Sequence, residues 1–171
     1  MSPSLRTLSE RLSSTDGSTY REGSILLSDR SAAFRLGVRA ILNLYNHYNS
    51  ANFVASTEAT SSEQTLNIAV SQQPSLILLD SHLAGSWERT LNLLIQLQQL
   101  APALNILLTA DYLEPQVIFE GMQAGATGCI TRDNVATELF TAIDTILSNK
   151  IYLSETALKD FFMLFQVQAR D

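Results

Sequence analysis

The chain has little cysteine, tryptophan or proline and no excess of positive charge. Its single cysteine, Cys129, excludes an intramolecular disulfide and any all-cysteine zinc site, which is typical of a reducing compartment. There are 11 Lys and Arg residues against 17 Asp and Glu residues, so the formal net charge is −6. Sequence-independent binding to DNA phosphates needs a basic surface, so we expect no direct nucleic-acid partner.

Long apolar runs are also absent. The N-terminal segment is polar and rich in Ser and Thr, and no later window reaches the length that a membrane span needs. We therefore expect a cytoplasmic protein that does not contact a membrane. Residues 1–22 are interpreted as a flexible N-terminal arm, with one or two helical turns as the alternative.

What the chain does contain is a regular alternation of two patterns. Short apolar or β-branched runs predict strands at 24–29, 52–57, 75–80, 105–110 and 126–131, and amphipathic segments predict helices at 31–48, 61–73, 87–101, 114–124 and 138–148. This alternation predicts an α/β fold: a doubly wound, flavodoxin-like, five-stranded parallel sheet of order 2-1-3-4-5, with helices on both faces.

The predicted elements divide the chain into three parts. The arm is followed by a domain over residues 23–150, which is long enough to bury a core of its own. Residues 151–171 form a C-terminal extension with a short extended piece and an extra amphipathic helix, which Ser154 caps.

Two of the predicted strands end in a carboxylate. The fully apolar run 76–79 leads to Asp80, and the run 25–28 leads to Asp29. Strands 1 and 3 are neighbours in the predicted order, and ligands gather at the carboxyl ends of parallel strands, so we expect the two acids to lie side by side. The alternative is that each acid caps a nearby turn. The loops SDRSAAF and SHLAGSW lack a Gly-rich phosphate cradle, which disfavours an enzyme or nucleotide binder of this fold.

The order of motifs resembles the receiver domain of bacterial two-component response regulators. The resemblance rests on ILLSDR (25–30), LILLDSHLAG (76–85), ILLTA (106–110) and AGATGCITRD (124–133), and covers residues 24 to 150. The segments GCITRDNVATELFTAI and IYLSETAL are most similar to receivers that are joined to LuxR-type DNA-binding domains. The resemblance implies a signalling module rather than an enzyme.

The resemblance also implies a metal and phosphoryl site. Asp80 takes the place of the phosphoacceptor, and Asp29, Asp80 and the backbone carbonyl of His82 take the places of the Mg²⁺ ligands. The second acid of the family's pair is replaced by Arg30. A guanidinium keeps its charge at every relevant pH, so we expect Arg30 to repel Mg²⁺ and to pair with Asp80 or Asp29 instead. The alternative is that Arg30 points to solvent.

Three further residues match positions that, in the family, contact the phosphoryl group or change conformation when it is bound. Thr109 matches the family's strand-end hydroxyl, which in this chain is also an ordinary strand residue. Arg132 stands where the family has a lysine, and a guanidinium differs from an ammonium in reach and donor geometry. Cys129 stands where the family has an aromatic switch residue, and its alternative role is that of a small buried hydrophobe.

These departures favour an atypical receiver, or pseudo-receiver, that acts through protein–protein interaction without the usual Mg²⁺-dependent phosphorylation and without a cofactor. The alternative is a working phosphoryl acceptor in a phosphorelay, in which a histidine kinase phosphorylates Asp80. Only residues 149–171 follow the fifth helix, so we expect a module without a DNA-binding domain.

We expect the partner protein to bind the face formed by helix 4, strand 5 and helix 5, or to bind the C-terminal helix. That helix carries Phe161, Phe162 and Phe165. These rings form an interface or fill the core, and a homodimer is left open.

Overall fold

The computed structural model describes residues 22–168. The predicted arm lies outside this range except for Glu22, which begins the first strand. The strands are β1 (Glu22–Ser28), β2 (Asn52–Ala59), β3 (Leu76–Asp80), β4 (Asn105–Ala110), β5 (Gly128–Thr131) and β6 (Tyr152–Leu153). The helices are α1 (Ala32–Asn49), α2 (Ser62–Gln72), α3 (Trp87–Leu100), α4 (Pro115–Gln123), α5 (Val135–Leu147) and α6 (Glu155–Gln168), and a 3₁₀ turn, Arg132–Asn134, precedes α5.

All the strands are parallel and lie in the order β2-β1-β3-β4-β5-β6. The predicted doubly wound order is confirmed for the first five, but the prediction of a five-stranded sheet is wrong. The sixth strand has two residues, which is too short to show an alternating pattern in the sequence. Its close approach depends on Gly128, where a Cβ atom would lie 2.8 Å from the carbonyl oxygen of Tyr152.

Alternate residues of the central strands enter two separate apolar layers. Leu26, Ile77 and Leu108 lie in the layer that contains the buried residues of α2, α3 and α4. The layer that α1 and α5 cover contains Leu27 and Leu78 among its strand residues. Every residue of β3 is buried, as expected for a central strand with helices on both faces.

The helices that follow β1, β2 and β3 begin at serine N-caps. Ser31, Ser61 and Ser86 each accept a hydrogen bond from the backbone N–H three residues later. Such caps satisfy one of the free N–H groups at a helix start and fix where the chain turns at the edge of the sheet. No helix within residues 22–168 has the length and apolarity needed to cross a bilayer.

The C-terminal extension packs on the domain beside β5. Its strand pairs with β5, and Ser154 caps α6 by accepting a hydrogen bond from the N–H of Ala157. Phe161 joins the apolar layer of α4, and its ring centroid lies 6.3 Å from that of Phe119. Leu158, Phe162 and Met163 are exposed on the outer side of α6. The side chain of Phe165 lies outside the described part of the structure.

Candidate functional site

Two buried carboxylates meet at the carboxyl end of the sheet, as the strand order predicts. Asp29 is 2% exposed and Asp80 is 6% exposed. The guanidinium of Arg132 joins them: its Nη2 donates to Oδ2 of Asp29 at 2.6 Å and lies 3.3 Å from Oδ1 of Asp80. The remaining oxygen of Asp29 accepts a hydrogen bond from the N–H of Ser31 at 2.7 Å.

Strand periodicity explains why these side chains meet. Asp29 and Asp80 each lie two residues after Leu27 and Leu78, whose side chains face α1 and α5. Side chains two apart in a strand leave the same face, so both acids project toward the α1 and α5 side. Arg132 likewise lies two residues after Ile130, in the same layer.

Arg132 is held by more than the two acids. Its Cζ lies 4.5 Å from the centroid of the Phe34 ring in α1, which is the geometry of a cation–π contact. Its Nε lies 3.5 Å from Asp111, whose side chain is almost fully in solvent, so this outer ion pair adds little. The side chain of Arg132 is 18% exposed, so it is more accessible to solvent than either of the two acids that it contacts.

The charge balance at Asp29 depends on that arginine. Burial raises the pKa of Asp29 above its ordinary value, and the nearby charge of Asp80 raises this pKa further. The N–H of Ser31 and the guanidinium of Arg132 act in the opposite direction and stabilise the carboxylate. Two buried acids so close together need a cation, and Arg132 supplies it.

Arg30 does not occupy this position, and the expected pairing of Arg30 with Asp29 or Asp80 is wrong. Arg30 is exposed, and within residues 22–168 it forms no ion pair or side-chain hydrogen bond. Arg30 lies in the bend after β1, and its side chain leaves on the side away from Asp29, toward residues of α2 and α3. It lines a surface cleft with residues of α2 and α3.

Thr109 and His82 flank Asp80. Thr109 is the register partner of Asp80 on β4, and its fully buried hydroxyl has no hydrogen-bond partner among the described residues. The N–H of His82 donates to Oδ1 of Asp80 at 3.0 Å, and its carbonyl accepts from the N–H of Gly85 at 2.9 Å. A hydroxyl donor without a partner therefore lies beside the acid pair.

Cys129 lies on the opposite face of the sheet. It is completely buried, and its register partners are Leu108 on β4 and Leu153 on β6. Burial raises the pKa of its thiol to about 12, so the side chain is an inert hydrophobe at neutral pH. It shares an apolar layer with Ala157 and Phe161 of the extension. Side chains of the extension thus pack in the layer that this position faces.

The two carboxylates that the resemblance implies as Mg²⁺ ligands are paired with a guanidinium in this arrangement. The site offers two carboxylates, and the same guanidinium contacts both. No group of three or more His, Cys, Asp or Glu side chains in the described part of the chain is placed to hold a metal ion. Mg²⁺ needs a near-octahedral set of oxygens, whereas this arrangement places N–H donors and a positive charge between the two acids.

A second ionic cluster beside the site was missed in the sequence. Glu58 at the end of β2 accepts from Nε of Arg35 and from Nε of Arg39, each at 2.7 Å. These two hydrogen bonds lower the pKa of Glu58. Arg35 also donates to the backbone carbonyl of Asp29 at 2.6 Å, which fixes the loop after β1. Arg35 and Arg39 lie four residues apart on one helix face, which indicates a shared acidic partner. The sequence does not identify that partner, because Glu58 lies on another element.

Comparisons with known proteins identify the fold. No protein-family model matches the chain. A two-component response regulator of the LuxR family from Aurantimonas sp. SI85-9A1 has a similar structure, with a TM-score of 0.72 and 21% identity over 83% of this chain and 96% of the other. The non-phosphorylated receiver domain of the stress response regulator RcsB from Escherichia coli has a TM-score of 0.65 and 16% identity over 80% of this chain and 99% of the other. At these identities the likeness establishes that the chain has the fold of a response-regulator receiver domain.

Proposed function

We propose that this chain is an atypical receiver module of two-component signalling, which acts by binding a protein partner and does not use Mg²⁺-dependent phosphorylation of Asp80. The observation that carries the proposal is the position of Arg132. Its guanidinium lies 2.6 Å from Asp29 and 3.3 Å from Asp80, where a divalent cation would have to bind.

The chemistry of phosphoryl transfer explains the consequence. A carboxylate can attack a phosphoryl group only when cations neutralise the charge that both carry, and the resemblance implies that a metal and a fixed cation share this role. Arg132 offsets one of the two negative charges and occupies Oδ2 of Asp29. A phosphoryl donor would have to displace a guanidinium that two carboxylates and the Phe34 ring hold. The proposed state is therefore a fixed conformation.

The opposite face of β5 supports the same proposal. Cys129 has no aromatic ring to move, and it lies in a layer that the extension helps to form. A single arrangement of α4, β5 and α6 suits a protein whose output is constitutive binding. The exposed side chains Phe162 and Met163 on α6 offer an apolar surface for such a partner.

The test is an amide NMR titration of the wild-type protein with Mg²⁺, followed by beryllofluoride and by acetyl phosphate. We expect no saturable shift of the amides around Asp80 at about 10 mM Mg²⁺, and no phosphorylated species in the intact mass spectrum. A saturable response that is lost in Asp80→Ala would overturn the proposal and establish a phosphoryl acceptor.

A gain-of-function variant provides the matched positive control. Arg30→Asp combined with Arg132→Lys restores the residue types that the resemblance implies at both positions. This variant is expected to acquire Mg²⁺-dependent shifts at the amides beside Asp80, because the guanidinium that contacts both acids is removed and the positive charge in the loop after β1 becomes a negative one.

A working phosphoryl acceptor is the second candidate, and one observation favours it. The buried hydroxyl of Thr109 lacks a partner among the described residues and belongs to the register partner of Asp80. Such a hydroxyl is a free donor for an anionic oxygen. The beryllofluoride titration separates the two candidates, because only the acceptor would show Thr109 and Asp80 amides shifting together.

A further inference from the structure

The sheet ends at β2, and this edge strand carries little protection of its own. It is eight residues long and pairs with β1 on one side only. An unpaired edge offers its N–H and C=O groups to any other strand, and proteins guard such edges with charged side chains, proline or covering elements. Residues 52–57 contain neither a charged residue nor a proline. The register with β1 shifts only after Val54, so the edge is regular up to that point.

Side chains of α1 occupy the hydrogen-bonding groups of this edge. The side-chain amide of Asn46 accepts a hydrogen bond from the N–H of Phe53 at 2.9 Å and donates to the carbonyl of the same residue at 2.7 Å. The guanidinium of Arg39 donates to the carbonyl of Ala55. In an extended strand the N–H and C=O of one residue point to the same side, and alternate residues share that side. Asn46 and Arg39 therefore bind consecutive outward-facing positions of β2.

The Asn46 side chain takes the place of a peptide group. A carboxamide has the same donor and acceptor as a backbone amide, and here both bind one residue, as the next strand of a ladder would bind it. Asparagine is a weak helix former, so helix propensity does not account for its position in α1. The contact uses the two groups of Phe53 that a further strand would need.

An ion pair holds the Arg39 side chain along the strand. Nε of Arg39 donates to Glu58 at 2.7 Å, and Glu58 lies near the end of β2. One guanidinium thus contacts β2 at Ala55 and at Glu58. The helix therefore places at this edge the charge that residues 52–57 lack.

We propose that Asn46 and Arg39 prevent β2 from pairing with the β2 strand of a second copy of this chain. Two copies related by a two-fold axis would join their identical edges in antiparallel orientation and form one continuous sheet. Residues 52–57 are uncharged, so this edge would meet itself without contact between like charges. The exposed side chains of α6 lie beside β6, at the opposite edge of the sheet, so the guard acts away from that surface.

The experiment combines sedimentation velocity with amide hydrogen exchange of the full chain. Asn46→Ala is expected to associate beyond the wild-type state as its concentration rises from about 10 μM to about 1 mM. In dilute solution its Phe53 amide should exchange about tenfold faster than in the wild type, because the N–H loses its acceptor. At high concentration this amide should become protected again, because a second copy supplies the acceptor.

Three further variants complete the test. Asn43→Ala makes the same substitution at an exposed position of α1 and should behave like the wild type in both measurements. Arg39→Ala opens only the carbonyl of Ala55, so it should also associate, but more weakly than Asn46→Ala. Val54 is 49% exposed, so Val54→Lys places a charge on the opened edge and should reverse the association of Asn46→Ala.

The proposal is overturned if neither Asn46→Ala nor Arg39→Ala associates beyond the wild type at about 1 mM. It is also overturned if Asn43→Ala associates to the same extent, or if Val54→Lys leaves the association of Asn46→Ala unchanged. None of these outcomes depends on whether Asp80 accepts a phosphoryl group, so the two proposals fail independently.

Discussion

Removing the guanidinium of Arg132 is the most direct perturbation of the acid pair. Arg132→Ala leaves Asp29 and Asp80 buried beside each other without a cation, and also removes the contact with Phe34. Removal of one partner of a buried ion pair costs about 3 to 5 kcal/mol. Arg132 is 18% exposed, so water enters the gap in the variant. We therefore expect a loss near the lower limit, about 3 kcal/mol in the free energy of unfolding at pH 7.

The assay is urea unfolding followed by circular dichroism. With an m-value of about 2 kcal/mol/M, the midpoint should fall by about 1.5 M. Lys150→Ala is the control for loss of one positive charge at an exposed position and should stay within about 0.5 kcal/mol of the wild type. Arg132→Lys keeps the charge but not the planar geometry, so its loss should be smaller than that of Arg132→Ala.

The pH dependence gives an independent readout of the same mechanism. Burial already raises the pKa of Asp29 in the wild type, and loss of Arg132 removes an interaction that lowers this pKa. An acid whose folded pKa lies above its unfolded pKa destabilises the fold as the pH rises through that window. The deficit of Arg132→Ala should therefore be largest at neutral pH and shrink as the pH is lowered toward the unfolded pKa of aspartate.

A double-mutant cycle isolates the pair. Asp29→Asn removes one of the two buried charges, so it should restore part of the stability that Arg132→Ala loses. The reasoning is refuted if Arg132→Ala costs less than about 0.5 kcal/mol. It is equally refuted if the loss is the same in the Asp29→Asn background.

Three other predictions concern groups around the site. The thiol of Cys129 should not react with a disulfide reagent at pH 8 until the protein unfolds, because burial raises its pKa to about 12; fast labelling of the native protein would contradict this. Burial and Glu138 raise the pKa of Tyr152 to about 12, so the free energy of unfolding should fall as the pH rises above 10, where the tyrosine of the unfolded chain ionises first. Urea unfolding of the wild type and of Tyr152→Phe at rising pH measures this, and an equal loss in both proteins would contradict it. Arg39 and Arg35 lower the pKa of Glu58, so Glu58→Gln should reduce the free energy of unfolding by about 0.5 to 1 kcal/mol at pH 7. Below the folded pKa of Glu58 the variant and the wild type should be equally stable, and urea unfolding at both pH values measures this.

The sequence predicted most of the architecture because the central strands are continuous apolar runs that stand out from the amphipathic helices. Each is an apolar run that two helical layers cover, and this pattern has few topological solutions. The same periodicity predicted that Asp29 and Asp80 share an edge. It did not reveal β6, because two residues carry no pattern and the pairing depends on the absence of a side chain at Gly128.

The sequence by itself determined the order of the first five strands and the neighbouring acids at the ends of β1 and β3. It also showed that Arg30, Cys129 and Arg132 differ from the residue types that the resemblance implies. Only the tertiary structure decided which arginine pairs with the acids. Arg30 is next to Asp29 in the chain but leaves on the other side of the strand end. Arg132 is 103 residues away but follows β5 on the face that the acids share. The alternation of side chains across a sheet, rather than distance along the chain, selected the partner.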